Sequence, residues 1–228
     1  MGGLDNPGLA ELMPAPFPDF SFEQASLRSG ATFVVGVDEV GRGPLAGPVT
    51  AAAVRLNPAH LPTGLRDSKA MTAAARERLF DWLMEHAEVS VAHAGVEEID
   101  ALNILRASHL AMERAIAALS ADTALPSFHA LVDGNLIPKG LTCTSRAIIK
   151  GDALCLSIAA ASVVAKVTRD RIMVDLAQQH PPYGWDRNMG YPTKAHRQAL
   201  LDFGVTPFHR RSFAPVHNIL CQAKSVTP

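Results

Sequence analysis

The sequence FVVGVDEVGRGP, residues 33–44, is the most informative segment for predicting the fold. Its first five residues are apolar, mostly β-branched or aromatic, which is typical of a buried strand. Asp38 and Glu39 end this run, and the Gly/Pro-rich turn after them leads into a second apolar run, PVTAAAVRL at residues 48–56. The two runs predict a buried hairpin that carries a pair of acids at the end of its first strand.

Helical and strand patterns alternate downstream of this hairpin. Thr72 is placed to cap a helix over residues 73–87, whose apolar side chains share one face. The further segments are a strand at 89–96, a helix at about 101–119, strands at 128–133 and 144–150, and a helix from about 153 or 157 to 178. Prolines restrict the tail to short helical pieces such as residues 195–203. This order predicts an α/β sandwich with a mixed sheet.

Length and composition indicate one domain without a strong overall charge. The chain has 228 residues, of which 48% are apolar and 19% charged, enough for one packed core. The net charge of −1 gives no long-range attraction to a polyanion, so nucleic-acid binding would need a local basic surface. We assign residues 32–228 to a single domain and the proline-bearing residues 1–31 to a poorly ordered extension.

The cysteines and the apolar runs favour a cytoplasmic protein. Three cysteines without a C-x-x-C spacing argue against a disulfide framework and against structural zinc. The N-terminus lacks the basic and apolar regions of a signal peptide. The apolar run at residues 154–167 is too short and too polar to cross a bilayer. We therefore expect no membrane association, and a monomer by default.

Acidic side chains follow several of the predicted strands. Asp38 and Glu39 end the first strand, Asp133 ends the fourth, and Asp152 follows the fifth. Ligands bind at strand ends in open α/β sheets, so these carboxylates are expected to converge. Converging carboxylates repel unless one takes up a proton or a cation lies between them. Oxygen ligands without His or Cys suit Mg²⁺ or Mn²⁺, and two such ions favour metal-assisted phosphodiester hydrolysis.

Each acid also has a simpler explanation. Asp152 is a plausible N-cap for the following helix, and Asp133 before Gly134 is a plausible turn residue; either explanation is the better one for a single acid in isolation. Asp38 and Glu39 are harder to explain this way, because two acids at a core edge without partners are costly. The combination of the four favours a metal site.

Several segments, in order, resemble those of one nuclease family. The stretch DEVGRGPLAGPV, residues 38–49, resembles the signature near the start of type 2 ribonucleases H (ribonuclease HII). Further segments resembling that family are DSK at 67–69, VDGN at 132–135, KGD at 150–152, SIAAASVVAKVTRD at 157–170, GYPT at 190–193 and RSFAP at 211–215. The resemblance covers roughly residues 33–215.

The resemblance implies a ribonuclease H-like fold: a five-stranded mixed sheet flanked by helices, with a small C-terminal helical segment. It implies that Asp38, Glu39, Asp133 and Asp152 are the catalytic, metal-binding set, with Mn²⁺ or Mg²⁺ as cofactor. It further implies cleavage of the RNA strand of RNA–DNA hybrids and cleavage 5′ to single ribonucleotides in duplex DNA, leaving 3′-hydroxyl and 5′-phosphate ends.

The resemblance also implies a substrate-binding set. Its members by motif are Gly41, Arg42, Gly43 and Tyr191, which recognise the ribonucleotide junction, and Lys69 and Lys166, which contact the phosphodiester backbone. Glycine permits close approach to a sugar whose 2′-hydroxyl distinguishes RNA from DNA. The glycines are equally suited to a tight turn, and the tyrosine ring to loop packing.

Four further basic residues are weaker candidates. Arg169 lies one turn from Lys166 on the same helix face and could join the phosphate contacts. The sequence His209-Arg210-Arg211 is a short basic cluster that is suited to follow a duplex. A solvated surface position is the better prediction for His209 and Arg210 taken singly.

Three alternative functions stay open at this point. A metal-dependent DNA nuclease of the same fold, such as a junction resolvase, would share the carboxylates without needing to detect a 2′-hydroxyl. A non-catalytic hybrid-binding module would use the acids as caps and turns. A metabolic enzyme that binds a nucleotide phosphate is disfavoured, because neither a P-loop nor a G-x-G-x-x-G opening a helix is present.

Overall fold

A computed structural model describes residues 17–65, 68, 71–120 and 128–225. The strands are β1 Phe33–Val40, β2 Val49–Arg55, β3 Glu88–Ala94, β4 Phe128–Asp133 and β5 Thr144–Ile148. The helices are α1 Ser21–Arg28, α2 Ala73–His86, α3 Val96–Leu102, α4 Ile104–Ser120, α5 Gly151–Leu154, α6 Leu156–Gln179, α7 Trp185–Asn188, α8 Lys194–Phe203 and α9 Ala214–Ser225, with a 3₁₀ turn at Pro181–Tyr183. The Thr72 hydroxyl accepts from the backbone N–H of Ala75, which confirms the predicted cap of α2.

The five strands form one mixed sheet in the order β3-β2-β1-β4-β5. Strands β1, β2 and β3 pair antiparallel, whereas β4 and β5 continue the sheet parallel to β1. The predicted hairpin and the predicted five-stranded mixed sheet are therefore confirmed. Strand β1 is central and almost fully buried, since it has neighbours on both edges and helices over both faces.

Helices cover the two faces of the sheet with separate hydrophobic layers. Helix α4 packs on one face through small side chains such as Ala107 and Ala111. The long helix α6 crosses the other face, again through alanine and valine. The approach of α6 to β1 is so close that a Cβ on Gly36 would lie 2.1 Å from the carbonyl carbon of Ser157. Strand β1 is thereby fixed against α6.

The N-terminal helix differs from the prediction for residues 1–31. Within the described part, helix α1 packs against the α5–α6 junction, where Asp19 exchanges backbone hydrogen bonds with Leu154 and Leu156. The buried Glu23 carboxylate accepts from the backbone N–H of Ser157 at 2.7 Å. Residues 21–28 of the segment assigned to the extension therefore form a helix packed on the domain, and the partners of α1 lie some 130 residues away in sequence.

The C-terminal helices pack against the loop between β1 and β2. Trp185, Leu200 and Val216 form a third hydrophobic cluster with Leu45 of that loop. The backbone of residues 208–210 also bonds to this loop, as in the 2.8 Å hydrogen bond from Arg210 N to Leu45 O. The small C-terminal helical segment therefore supports the loop that carries the glycines.

No helix in the described ranges is long and apolar enough to cross a membrane.

Candidate active site

The four predicted acids line one cleft of about 500 Å³. Val37 of β1 pairs with Val132 of β4, so the next residues, Asp38 and Asp133, lie at the same edge of the sheet. Asp152 is in the first turn of α5. This helix begins directly after Lys150, a residue in the left-handed conformation that ends the loop from β5. The backbone N–H of Gly151 donates to Asp133 Oδ1 at 2.7 Å and joins the two segments.

Asp38 and Glu39 both reach the cleft although strand β1 does not stop at them. The strand continues through Val40, which pairs with Thr50, so the predicted stop at the acids is too early. Asp38 Oδ1 accepts from the backbone N–H of Glu39, the next residue of its own strand, at 2.7 Å. Glu39 Oε1 accepts from the Arg42 guanidinium at 3.3 Å.

The negative charges of the acids in the cleft are only partly neutralised by basic side chains. Burial, followed by repulsion from Glu39, Asp133 and Asp152, raises the pKa of Asp38 well above its ordinary value. Burial likewise raises the pKa of Glu39 to about 6, against the lowering effect of Arg42. Each shift records an energetic cost of the charged form, which a nearby cation relieves. The electrostatics of the cleft therefore fit a divalent ion held by oxygen ligands.

The carboxylates are not, however, arranged as a closed ligand set. Over the described ranges, no three His, Cys, Asp or Glu side chains are grouped as ligands of one ion. Asp38, Glu39 and Asp133 each direct an oxygen to a donor of the protein instead. A carboxylate accepts through two oxygens, so these hydrogen bonds do not prevent the same side chains from binding an ion.

The glycine turn and Tyr191 line the same cleft as the acids. Gly41 has φ +96°, and a Cβ there would lie 2.2 Å from Arg169 Nε, so only glycine fits. A Cβ on Gly43 would lie 3.3 Å from the Tyr191 ring, which is 41% exposed. The structure thus brings together the four residues that were predicted to recognise the ribonucleotide junction: Gly41, Arg42, Gly43 and Tyr191.

The two predicted lysines have different outcomes. Lys166 lines the cleft, and its Nζ donates to Asp170 Oδ1 at 2.7 Å, one turn along α6. This ion pair leaves the ammonium with further donors. Lys69 lies outside the described residues.

Three polar residues of the cleft were not predicted from the sequence: Ser68, Arg76 and Ser162. The two serine hydroxyls hydrogen bond to each other at 2.7 Å, and Arg76 donates to the backbone carbonyl of Ser68. Ser162 precedes Lys166 by four residues on α6, so the helical spacing already indicated a shared face. Ser68 lies inside the DSK segment at 67–69, which indicated that stretch without singling out the serine, and Arg76 carries no comparable signal.

The predictions for Arg169, His209 and Arg210 are wrong. All three side chains are 0% exposed, so Arg169 is not a phosphate contact and the other two are not solvated. Burial lowers the pKa of Arg210 to about 9, which leaves it charged at neutral pH. The two arginines donate to backbone carbonyls of the β1–β2 loop, which is more than 120 residues away in sequence. This distance is why the sequence pattern did not reveal their burial.

The sequence matches the family model described as Ribonuclease HII over residues 35–216. The chain belongs to the ribonuclease HII family. Ribonuclease HII of Paracoccus denitrificans is 64% identical over 211 residues, which are 92% of this chain and 99% of that protein. The corresponding protein of Cereibacter sphaeroides (strain ATCC 17025) is 67% identical over 211 residues, 92% of this chain and 98% of that protein.

Solved structures of the same kind share the fold. Ribonuclease H2 from Pyrococcus horikoshii OT3 superposes with a TM-score of 0.68 at 27% identity, over 84% of this chain and 98% of that chain. As a member of the ribonuclease HII family, this chain is an endoribonuclease that acts on RNA–DNA hybrids. Ribonucleases H use divalent metal ions, in agreement with the charge of the cleft.

Proposed function

We propose that this ribonuclease HII cuts duplex DNA on the 5′ side of a single embedded ribonucleotide, as well as the RNA strand of longer hybrids. One observation carries the proposal: carboxylates from two neighbouring strand ends and from α5 line the same cleft as the glycine turn and Tyr191. A hydrolytic centre and a surface able to detect a 2′-hydroxyl therefore face the same substrate.

Asp38, Glu39, Asp133 and Asp152 would hold Mn²⁺ or Mg²⁺. The chemistry that a pair of bound ions would supply is activation of a water and stabilisation of the leaving 3′-oxygen, which would give 3′-hydroxyl and 5′-phosphate ends. The protein contributes the fixed geometry: the β1–β4 pairing aligns Asp38 with Asp133, and the Gly151–Asp133 hydrogen bond brings in the loop of Asp152.

Recognition of the ribonucleotide would come from the backbone at Gly41 and Gly43. Without a Cβ, these residues let backbone donors and acceptors approach a sugar closely, and the 2′-hydroxyl both donates and accepts. Tyr191 stands against Gly43 with its ring partly exposed, suited to pack on the neighbouring deoxyribose. Lys166, beside the acids, is suited to contact a phosphate.

The test is a cleavage assay on a duplex that contains one ribonucleotide. We expect a single cut 5′ to the ribonucleotide with Mn²⁺ or Mg²⁺, little activity with Zn²⁺ or Ca²⁺, and none after chelation. Mapping the ends distinguishes 3′-hydroxyl from 3′-phosphate products. Cleavage that persists in excess chelator would contradict the proposed chemistry.

An all-DNA duplex and a four-way DNA junction serve as matched substrates. Equal activity on all-DNA duplex and on the ribonucleotide duplex would contradict recognition of the 2′-hydroxyl and would favour a DNA nuclease of the same fold. Cleavage of the long hybrid alone would limit the activity to that substrate.

A further inference from the structure

Two buried arginines, Arg169 and Arg210, lie beneath the glycine turn. Both side chains are 0% exposed, and neither takes part in an ion pair within the described part of the chain. Every hydrogen bond shown for their guanidinium groups goes to a backbone carbonyl. Arg169 donates to the carbonyls of Ala46, Pro48 and Met189, and Arg210 to those of Gly41, Arg42, Gly47 and Pro48.

Together these bonds fix the backbone of the β1–β2 loop from the inside. A guanidinium group presents five N–H donors in a rigid plane, and each buried donor needs an acceptor. The distance from Arg210 Nη2 to Gly41 O is 2.6 Å and that from Nη1 to Arg42 O is 3.0 Å. The carbonyls of two of the three residues in the glycine turn therefore have their direction set by one side chain.

Arg169 links this turn to the segment that carries Tyr191. Its Nε donates to Pro48 O at 2.9 Å, and its Nη1 donates to Met189 O at 3.0 Å. Between these two segments, Leu45 N donates to Gly190 O at 2.8 Å. The glycine turn and the tyrosine are thus held in one relative position by a side chain that does not reach the cleft.

We propose that Arg210, together with Arg169, is a positioning residue that sets selectivity for a single embedded ribonucleotide. The inference rests on the proposed recognition of a ribose by Gly41 and Gly43. A long hybrid presents a 2′-hydroxyl on every nucleotide, so contacts made by neighbouring nucleotides partly compensate for a displaced glycine turn. A single ribonucleotide offers one position only, and a displacement of about 1 Å costs large factors in rate.

The test compares Arg210→Lys with wild type on two substrates, a single-ribonucleotide duplex and a continuous RNA–DNA hybrid. Lysine keeps the charge but presents a compact ammonium that cannot span the same carbonyls. We expect kcat/KM on the single-ribonucleotide duplex to fall at least about tenfold more than on the hybrid. Arg169→Lys should change the ratio in the same direction.

Arg187→Lys is the matched control, because Arg187 lies on the surface of α7 with 84% of its side chain exposed. It should leave the ratio unchanged. Thermal unfolding identifies a variant that fails to fold. If Arg210→Lys does not fold, the comparison is made with Arg169→Lys, and the reverse. Equal loss on both substrates, or an unchanged ratio in a folded variant, overturns the inference. Wild-type enzyme that cuts the hybrid but not the single-ribonucleotide duplex would instead contradict the proposed function itself.

Discussion

Replacing Asp38 by asparagine should abolish cleavage and at the same time stabilise the metal-free protein. Asp38 is buried, and both desolvation and the charges of Glu39, Asp133 and Asp152 raise its pKa. Asparagine has nearly the same shape, and its Oδ1 retains the acceptor for the backbone N–H of Glu39. The substitution therefore removes a charge without removing a hydrogen bond or leaving a cavity.

The two effects have separate magnitudes. Loss of one of the proposed metal ligands should cost several kcal/mol in the transition state, so kcat should fall about 10³-fold or more. Relief of repulsion should raise the free energy of unfolding by about 1–2 kcal/mol, which corresponds to roughly 2–8 °C for a chain of this size. The raised pKa of Asp38 lowers the stability of the wild type only at pH values above the ordinary pKa of an aspartate. The stability gain of Asp38→Asn should therefore vanish below about pH 4, where Asp38 is protonated in both the folded and the unfolded state.

The assay pairs single-turnover cleavage with thermal unfolding in chelator at about pH 7 and about pH 4. Added Mn²⁺ should raise the Tm of wild type more than that of the variant. Asp186→Asn, an exposed acid of α7 with 52% of its side chain accessible, is the control and should change neither quantity. Near-normal cleavage by Asp38→Asn, or a Tm below that of wild type in chelator, would refute the reasoning.

Two further predictions concern stability. Glu23→Ala should cost about 1–3 kcal/mol by urea unfolding, because it leaves the buried N–H of Ser157 without an acceptor, whereas the exposed neighbour Gln24→Ala should cost little. Equal effects of the two would argue against this hydrogen bond. Burial lowers the pKa of His209 to about 3. As the pH falls below about 6.5, this histidine therefore becomes protonated in the unfolded chain but stays neutral in the folded protein. At about pH 5 this difference should lower the free energy of unfolding by about 2 kcal/mol. His209→Asn should therefore make the fall of the free energy of unfolding with decreasing pH shallower, whereas the exposed control His60→Asn should not. An unchanged dependence on pH in His209→Asn contradicts the prediction.

The central strand, its hairpin partner and the acids of the cleft were all predictable from the amino-acid sequence. Strand β1 was evident from a run of apolar β-branched residues, and Asp38, Glu39 and Asp133 from their places at strand ends. These signals are local, because burial of a strand and the meeting of parallel strand ends follow from a few adjacent residues. The family signature added the glycine turn and Tyr191.

The roles of Arg169, His209, Arg210 and helix α1 became apparent only from the folded arrangement of the chain. Arg210 lies beside Arg211, which is exposed, and their sequence context does not distinguish them. Arg210 is buried because its guanidinium finds carbonyls of Gly41 and Gly47, 169 and 163 residues away in the chain. Glu23 is likewise buried because it reaches Ser157, 134 residues away. A polar side chain is buried in a core only where other groups complete its hydrogen bonds. Here those groups belong to backbone segments distant in sequence, which come close only when the chain has folded.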